Sequence, residues 1–161
     1  MSILDALRSR LGRRHSLQLS WLTSDLAISR SPLDAEWPDV EAAGVRSLLD
    51  LRETSAPGRP PKDSQLRYLR LPIVEYEAPT SEQLDEAAQW VVESITRGPV
   101  LIHCREGMGR SPLVACAALV RLGIPLSDAY EILRRTGRRV AMTDAQVAAL
   151  DAFTSRWGRD R

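Results

Sequence analysis

Val100-Leu101-Ile102-His103-Cys104-Arg105-Glu106-Gly107-Met108-Gly109-Arg110-Ser111 is the stretch that decides the fold. Val100 to His103 is a short apolar run of the kind that forms a buried central strand. Ser111 to Leu122 has a helical pattern, with Pro112 in its first turn and Gly123 just past its end. A strand therefore delivers Cys104 to the edge of a sheet, and the residues up to Arg110 turn the chain into a helix. Gly107 and Gly109 suit a tight turn because glycine adopts positive φ at little cost.

This arrangement builds an anion site. Successive backbone N–H groups of Arg105, Glu106, Gly107, Met108 and Gly109 can converge on one point, and the helix N-terminus adds its partial positive charge. Arg110 supplies a planar fork for two oxygens of a phosphate. A helix N-terminus or a nearby cation lowers a thiol pKa from ~8.5 to ~3.5–7.5, so the loop is expected to favour a thiolate at Cys104. Such a thiolate can attack phosphorus in line and form a phosphocysteine. Ser111 is placed to offer its hydroxyl to the departing sulfur, and His103 to fix the loop from behind.

Outward from the loop, strands and helices alternate. Leu17–Trp21, Leu26–Ile28, Val45–Leu51 and Leu66–Pro72 read as strands. Asp39–Ala43 reads as a short helix stopped by Gly44, and the proline-rich stretch Arg52–Gln65 as loop. Thr80-Ser81-Glu82-Gln83 and Thr143-Asp144-Ala145-Gln146 are capping boxes, opening helices that end near Arg97 and Trp157. Ser127 is expected to cap a further helix ending near Gly137. The pattern predicts an α/β fold with a mixed sheet of four to five strands, flanking helices and a helical C-terminal half. Residues 17–161 form one domain in this reading, preceded by a basic helix or arm over residues 1–16. Ile3, Leu4, Leu7 and Leu11 share one helical face there, and arginines crowd the rest. Packing on the domain is the expectation, with membrane contact through Met1–Arg14 as the alternative.

The loop resembles the signature of the cysteine-based protein phosphatases: His-Cys, five residues, Arg, then Ser or Thr. It is most similar to the small and atypical dual-specificity phosphatases, with further resemblance from about Trp21 to Trp157 through Leu48-Leu49-Asp50-Leu51-Arg52-Glu53 and Leu71-Pro72-Ile73. The resemblance implies a phosphotyrosine-phosphatase-like fold and phosphomonoester hydrolysis without a metal or cofactor. It also implies a general acid on a loop, commonly Asp four residues before Pro. Here Glu75 stands four residues before Pro79 and 29 before Cys104. Glutamate can do the same chemistry with one more methylene, and Glu77 is its rival; the bland alternative leaves both in solvent. Trp37-Pro38-Asp39 spells a motif of the larger tyrosine phosphatases but lies 65 residues before Cys104, so Asp39 is read as a helix-start residue.

Several residues carry two readings. Gln146 either orients the hydrolytic water or merely completes its capping box. Cys116 is either a partner for an oxidised Cys104 or a buried helix cysteine. Arg138 and Arg139 either flank the pocket or sit in a solvated turn. Arg105 and Glu106 are expected to cancel roughly, which favours phosphoproteins or small phosphoesters over polyphosphorylated inositides.

Composition narrows the classes. With 22 basic and 21 acidic residues, the chain lacks the basic excess of a nucleic-acid binder. No apolar run approaches the ~20 residues of a membrane span. Two cysteines are too few for a disulfide scaffold, which points to the cytoplasm. His15 and His103 are the only histidines and offer no metal-ligand spacing. A monomer acting on a phosphorylated protein or small phosphoester is the expectation. Alternatives are a phosphoinositide phosphatase of the same mechanism, a low-turnover phosphate-binding module, and a rhodanese-like sulfurtransferase, whose usual loop is shorter.

Overall fold

The computed structural model describes residues 16–54 and 58–158, so the reading of Met1–Arg14 lies outside the described residues. Five strands form one mixed sheet: β1 Ser20–Thr23, β2 Leu26–Ser29, β3 Ser47–Asp50, β4 Arg67–Arg70 and β5 Val100–His103. Their order is β1-β2-β5-β3-β4, with β1 antiparallel to β2 and the other pairings parallel. The apolar run at Val100 thus occupies the centre, inserted between β2 and β3, and all four of its residues are buried.

Period-two alternation distributes β5 over two cores. Val100 and Ile102 face a large cluster with Leu26, Ile28, Leu49, Leu113, Val114 and Leu150. Leu101 faces a smaller one with Ala27, Leu48, Trp37 and Val40. The smaller cluster is covered by helix α1 (Trp37–Ala42), which follows a single 3-10 turn over Asp34–Glu36. The larger is covered by α2 (Ser81–Ile95), α3 (Arg110–Arg121), α4 (Leu126–Arg135) and α5 (Asp144–Trp157). Helix α3 packs against α2, α4 and α5 and is buried from Arg110 to Val120, which explains its run of small residues, Ala115-Cys116-Ala117-Ala118.

The expected α/β architecture and helical C-terminal half are found, with local differences. The first strand lies at Ser20–Thr23, not Leu17–Trp21, because its only strand neighbour among the described residues, β2, offers partners from Ile28, opposite Ser20, to Leu26, opposite Thr23. Helix α1 starts at Trp37, with Pro38 in its first turn and Asp39 exposed after it. Both capping boxes form: Thr80 Oγ1 accepts from Gln83 N–H at 3.1 Å and Gln83 Oε1 from Thr80 N–H at 2.8 Å. Thr143 and Gln146 do the same at 3.2 and 3.0 Å. Each such cap stabilises its helix by about 1 kcal/mol. Ser127 does not cap α4. Pro125 is the N-cap, without a side-chain bond, since its extended conformation starts the helix two residues earlier.

Candidate active site

In a parallel sheet, ligands bind beyond the carboxyl ends of the strands. Here β2 ends on Ser29-Arg30, β3 runs on into Leu51-Arg52-Glu53, and β5 ends on His103 with Cys104 next. These three ends adjoin because β5 lies between the other two.

Cys104 is 3% exposed, and its Sγ accepts a hydrogen bond from Gly107 N–H at 3.2 Å. Gly107 has φ 70°, as the turn demands. Gly109 does not share that reason, since its φ is −119°. It is small because a Cβ there would lie 3.3 Å from Gln146 Oε1 and 3.4 Å from the Ala141 carbonyl. Helix α3 begins on Arg110, whose Nη1 donates to the Ile73 carbonyl at 2.8 Å, fixing the guanidinium. Ser111 is fully buried, and its Oγ has no hydrogen-bond partner among the described residues.

His103 is also fully buried, with Nδ1 3.4 Å from the Cys104 carbonyl. Burial pushes its pKa down to about 4. The imidazole is therefore neutral at pH 7, and the 3.9 Å approach of Nε2 to Asp50 Oδ1 is not an ion pair there. Asp50 belongs to a buried network instead. Arg52 donates to it through Nε at 2.9 Å and Nη2 at 2.8 Å, and Tyr68 through its hydroxyl at 2.8 Å. Burial raises the Asp50 pKa, but these donors outweigh burial and hold it below the usual carboxylate value.

A hollow of about 50 Å³ over the loop is lined by Cys104, Glu106, Met108, Gly109, Arg110, Glu75, Tyr76 and Gln146. Glu75 is half-buried here, whereas Glu77 is exposed and absent from the lining. The segment carrying them is pinned by α5: Thr143 Oγ1 donates to the Tyr76 carbonyl at 3.2 Å and Gln146 Nε2 to the Glu77 carbonyl at 3.1 Å. Tyr76 takes φ 66°, a left-handed conformation uncommon for a residue with a side chain. Gln146 therefore both completes its box and grips this segment.

Glu53 has a place that the sequence did not reveal, and Arg138 favours the pocket-flanking alternative over the solvated turn. Glu53 stands at the mouth of the loop, with Oε1 accepting from Glu75 N–H at 3.3 Å and Oε2 3.8 Å from Arg110 Nη1. Its position just past β3 was the available signal. Arg138 is not solvated: it is half-buried and donates to the Glu106 and Gly107 carbonyls at 3.1 and 2.8 Å. Arg139 is exposed, as a solvated turn requires. Arg105 pairs not with Glu106 but with Glu75, Nη1 to Oε2 at 3.4 Å.

Beside the hollow lies a cleft of about 540 Å³ lined by residues including Arg30, Arg52, Arg105, Arg110, Glu53 and Glu75. Every arginine in it has a carboxylate partner: Glu36, Asp50, Glu75 and Glu53 in turn. Cys116 is fully buried on α3, and burial pushes its thiol up to about 12, which leaves it protonated and unreactive at neutral pH.

Known proteins resemble the chain in sequence and shape. A family model described as "polymorphic toxin system, DSP-PTPase phosphatase" matches residues 27–124. Mouse protein tyrosine phosphatase type IVA 2 is 21% identical over 150 residues, covering 89% of each chain. The crystal structure of Tk-PTP in its active form superposes with a TM-score of 0.75 and 28% identity, over 86% of this chain and 97% of that one. PTPMT1, solved in complex with PI(5)P, has a TM-score of 0.76 at 18% identity, over 86% of this chain and 95% of that one.

Proposed function

We propose, on the premise that the chain belongs to the DSP-PTPase phosphatase family of polymorphic toxin systems, that this phosphatase works through a phosphocysteine on Cys104. The observation that carries this reading is the hollow itself: Cys104, Arg110 and Glu75 line the same small space. The Cys104 thiolate attacks phosphorus, and an S–P bond forms as the ester P–O bond breaks. The leaving oxygen takes the proton of Glu75. The amides of the loop and the Arg110 guanidinium bear the charge on the equatorial oxygens. Water, giving its proton to the Glu75 carboxylate, then attacks phosphorus. The S–P bond breaks, its electron pair returns to sulfur, and inorganic phosphate leaves. The Gly107 N–H, already on Cys104 Sγ, stabilises that sulfur, and the Ser111 hydroxyl, buried without a hydrogen-bond partner among the described residues, turns to it as the S–P bond breaks. Gln146 holds the segment that carries Glu75 through Nε2, which keeps a second hydrogen available for the water.

The substrate class in this reading is a phosphorylated protein in the cytoplasm. Polyphosphorylated lipids would gain from unneutralised cations, and each cleft arginine already has a carboxylate. PTPMT1, solved with PI(5)P, keeps a phosphoinositide as the second reading, supported by the size of the cleft. The test is iodoacetate labelling of Cys104 near pH 6, with turnover of p-nitrophenyl phosphate, phosphopeptides and phosphoinositides beside Cys104→Ser. Labelling blocked by phosphate and turnover abolished in Cys104→Ser are expected. Turnover that survives Cys104→Ser would overturn the reading.

A further inference from the structure

Four consecutive carbonyls of the loop accept hydrogen bonds from outside it. The Arg105 carbonyl accepts from Ser31 N–H at 3.1 Å and the Met108 carbonyl from Ala141 N–H at 2.7 Å. Between them, the Glu106 carbonyl accepts from Arg138 Nη2 at 3.1 Å and the Gly107 carbonyl from Arg138 Nε at 2.8 Å. In a trans peptide the C=O and the following N–H point in opposite directions. Each carbonyl held outward therefore turns the next amide inward. One such amide, Gly107 N–H, already meets Cys104 Sγ at 3.2 Å.

Two of these four anchors come from one side chain. Arg138 lies 31 residues beyond Gly107, and its third donor, Nη1, reaches Ser20 Oγ on β1 at 3.2 Å. The guanidinium thus ties the loop to the edge strand. The fit is close: a Cβ at Gly107 would lie 2.5 Å from the Ser29 carbonyl oxygen and would strike Arg138 Nη2. No carboxylate pairs with Arg138 among the described residues, although every arginine of the neighbouring cleft has one. Burial pushes its pKa down, and the charge of Cys104 works against that. A half-buried cation without a carboxylate costs stability, and here it stands behind an anion site.

We infer that Arg138 is a positioning residue for phosphate binding: it holds the Glu106 and Gly107 carbonyls outward so that the Gly107 N–H stays on the Cys104 sulfur and the Met108 N–H meets a phosphoryl oxygen. This deepens the proposed reaction and rests on it. Without the guanidinium, either peptide can rotate and aim a carbonyl at the phosphate, replacing an attraction with a repulsion.

The test compares Arg138→Met, which keeps the apolar stem and removes all three donors, with Arg138→Lys, which keeps the charge and a donor. Inorganic phosphate affinity is measured by calorimetry at fixed ionic strength, alongside kcat and KM on p-nitrophenyl phosphate and thermal unfolding. Arg138→Met is expected to bind phosphate at least tenfold more weakly and to lose at least tenfold in kcat. Its melting temperature should stay within about 3 °C of wild type. Arg138→Lys should recover part of the phosphate affinity. A folded Arg138→Met with wild-type phosphate affinity and kcat would overturn the inference. Should Arg138→Met not fold, the same readings on Arg138→Lys decide, with undiminished affinity counting against the role. A wild-type protein that binds phosphate but hydrolyses no phosphomonoester would sink the proposed reaction alone, because phosphate affinity still tests Arg138.

Discussion

Glu75 and Arg105 face each other across the mouth of the loop, Oε2 to Nη1 at 3.4 Å. The pair links the segment after β4 to the phosphate loop after β5. It is a solvated contact, since the Arg105 side chain is 70% exposed. An ion pair of that kind contributes at most about 1 kcal/mol. Glu75 is thus held near the hollow by a tie that a substrate can displace.

If Glu75 is the proton donor, its loss matters in proportion to how badly the leaving group needs a proton. Glu75→Gln should lower kcat on an alkyl phosphate by about 10²- to 10⁴-fold, the usual worth of general acid catalysis. On p-nitrophenyl phosphate, whose leaving group is stable as an anion, the loss should be far smaller. Glu77→Gln, at an exposed position outside the hollow, should change either rate by less than about twofold. Steady-state kinetics on both substrates decides; an alkyl rate untouched by Glu75→Gln removes the assignment.

Glu53 sets up a second test. Its Oε2 lies 3.8 Å from Arg110 Nη1, and Glu53 is 45% exposed in its side chain. Its carboxylate therefore competes with substrate phosphate for the same guanidinium. Glu53→Gln keeps an acceptor for Glu75 N–H and removes the charge. The expected outcome is a KM on p-nitrophenyl phosphate lowered by about two- to tenfold, a change of up to ~1.4 kcal/mol, with kcat little altered. A KM that rises instead would mean that Glu53 supports Arg110 and does not oppose the substrate.

Arg105 is expected to matter little for stability. Arg105→Ala should shift the melting temperature by no more than about 3 °C, in keeping with a surface pair worth below ~1 kcal/mol. A larger loss, read by thermal unfolding, would show that the tie between the two segments is structural.

What could be read ahead of the structure follows the range of the interactions. The strand at Val100, the turn and helix α3 are contiguous, so periodicity and the glycine at 107 are enough to place Cys104 and Arg110. The capping boxes at Thr80 and Thr143 were legible for the same reason: donor and acceptor lie three residues apart. Arg138 keeps two readings in the sequence because Gly137-Arg138-Arg139 has the composition of a solvated turn, and its partners, two loop carbonyls and Ser20, lie far away in the chain. Glu53 comes to Arg110 only because β5 inserts beside β3. Gly109 was read through its backbone, whereas its real constraint is the approach of Gln146 and Ala141 from the C-terminal segment.

His103 links the site to acid stability. It is fully buried beside Asp50, and burial pushes its pKa down to about 4 from 6.5. Between those two values the unfolded chain binds a proton that the folded chain excludes. Stability therefore rises with pH across that window. The contribution is complete above pH 6.5 and is lost as pH falls from 6.5 toward 4, with no further loss from this residue below that. At ~1.4 kcal/mol per unit of pKa, the loss is about 3 kcal/mol at most. Urea unfolding at pH 7.5, 6, 5 and 4.5 should show the midpoint falling in wild type. His103→Asn, which cannot take up the proton, should start lower because a well-packed ring is lost, and should then show a flatter pH dependence across the same window. Parallel pH profiles for the two proteins would place the acid sensitivity elsewhere and leave His103 with a packing role alone.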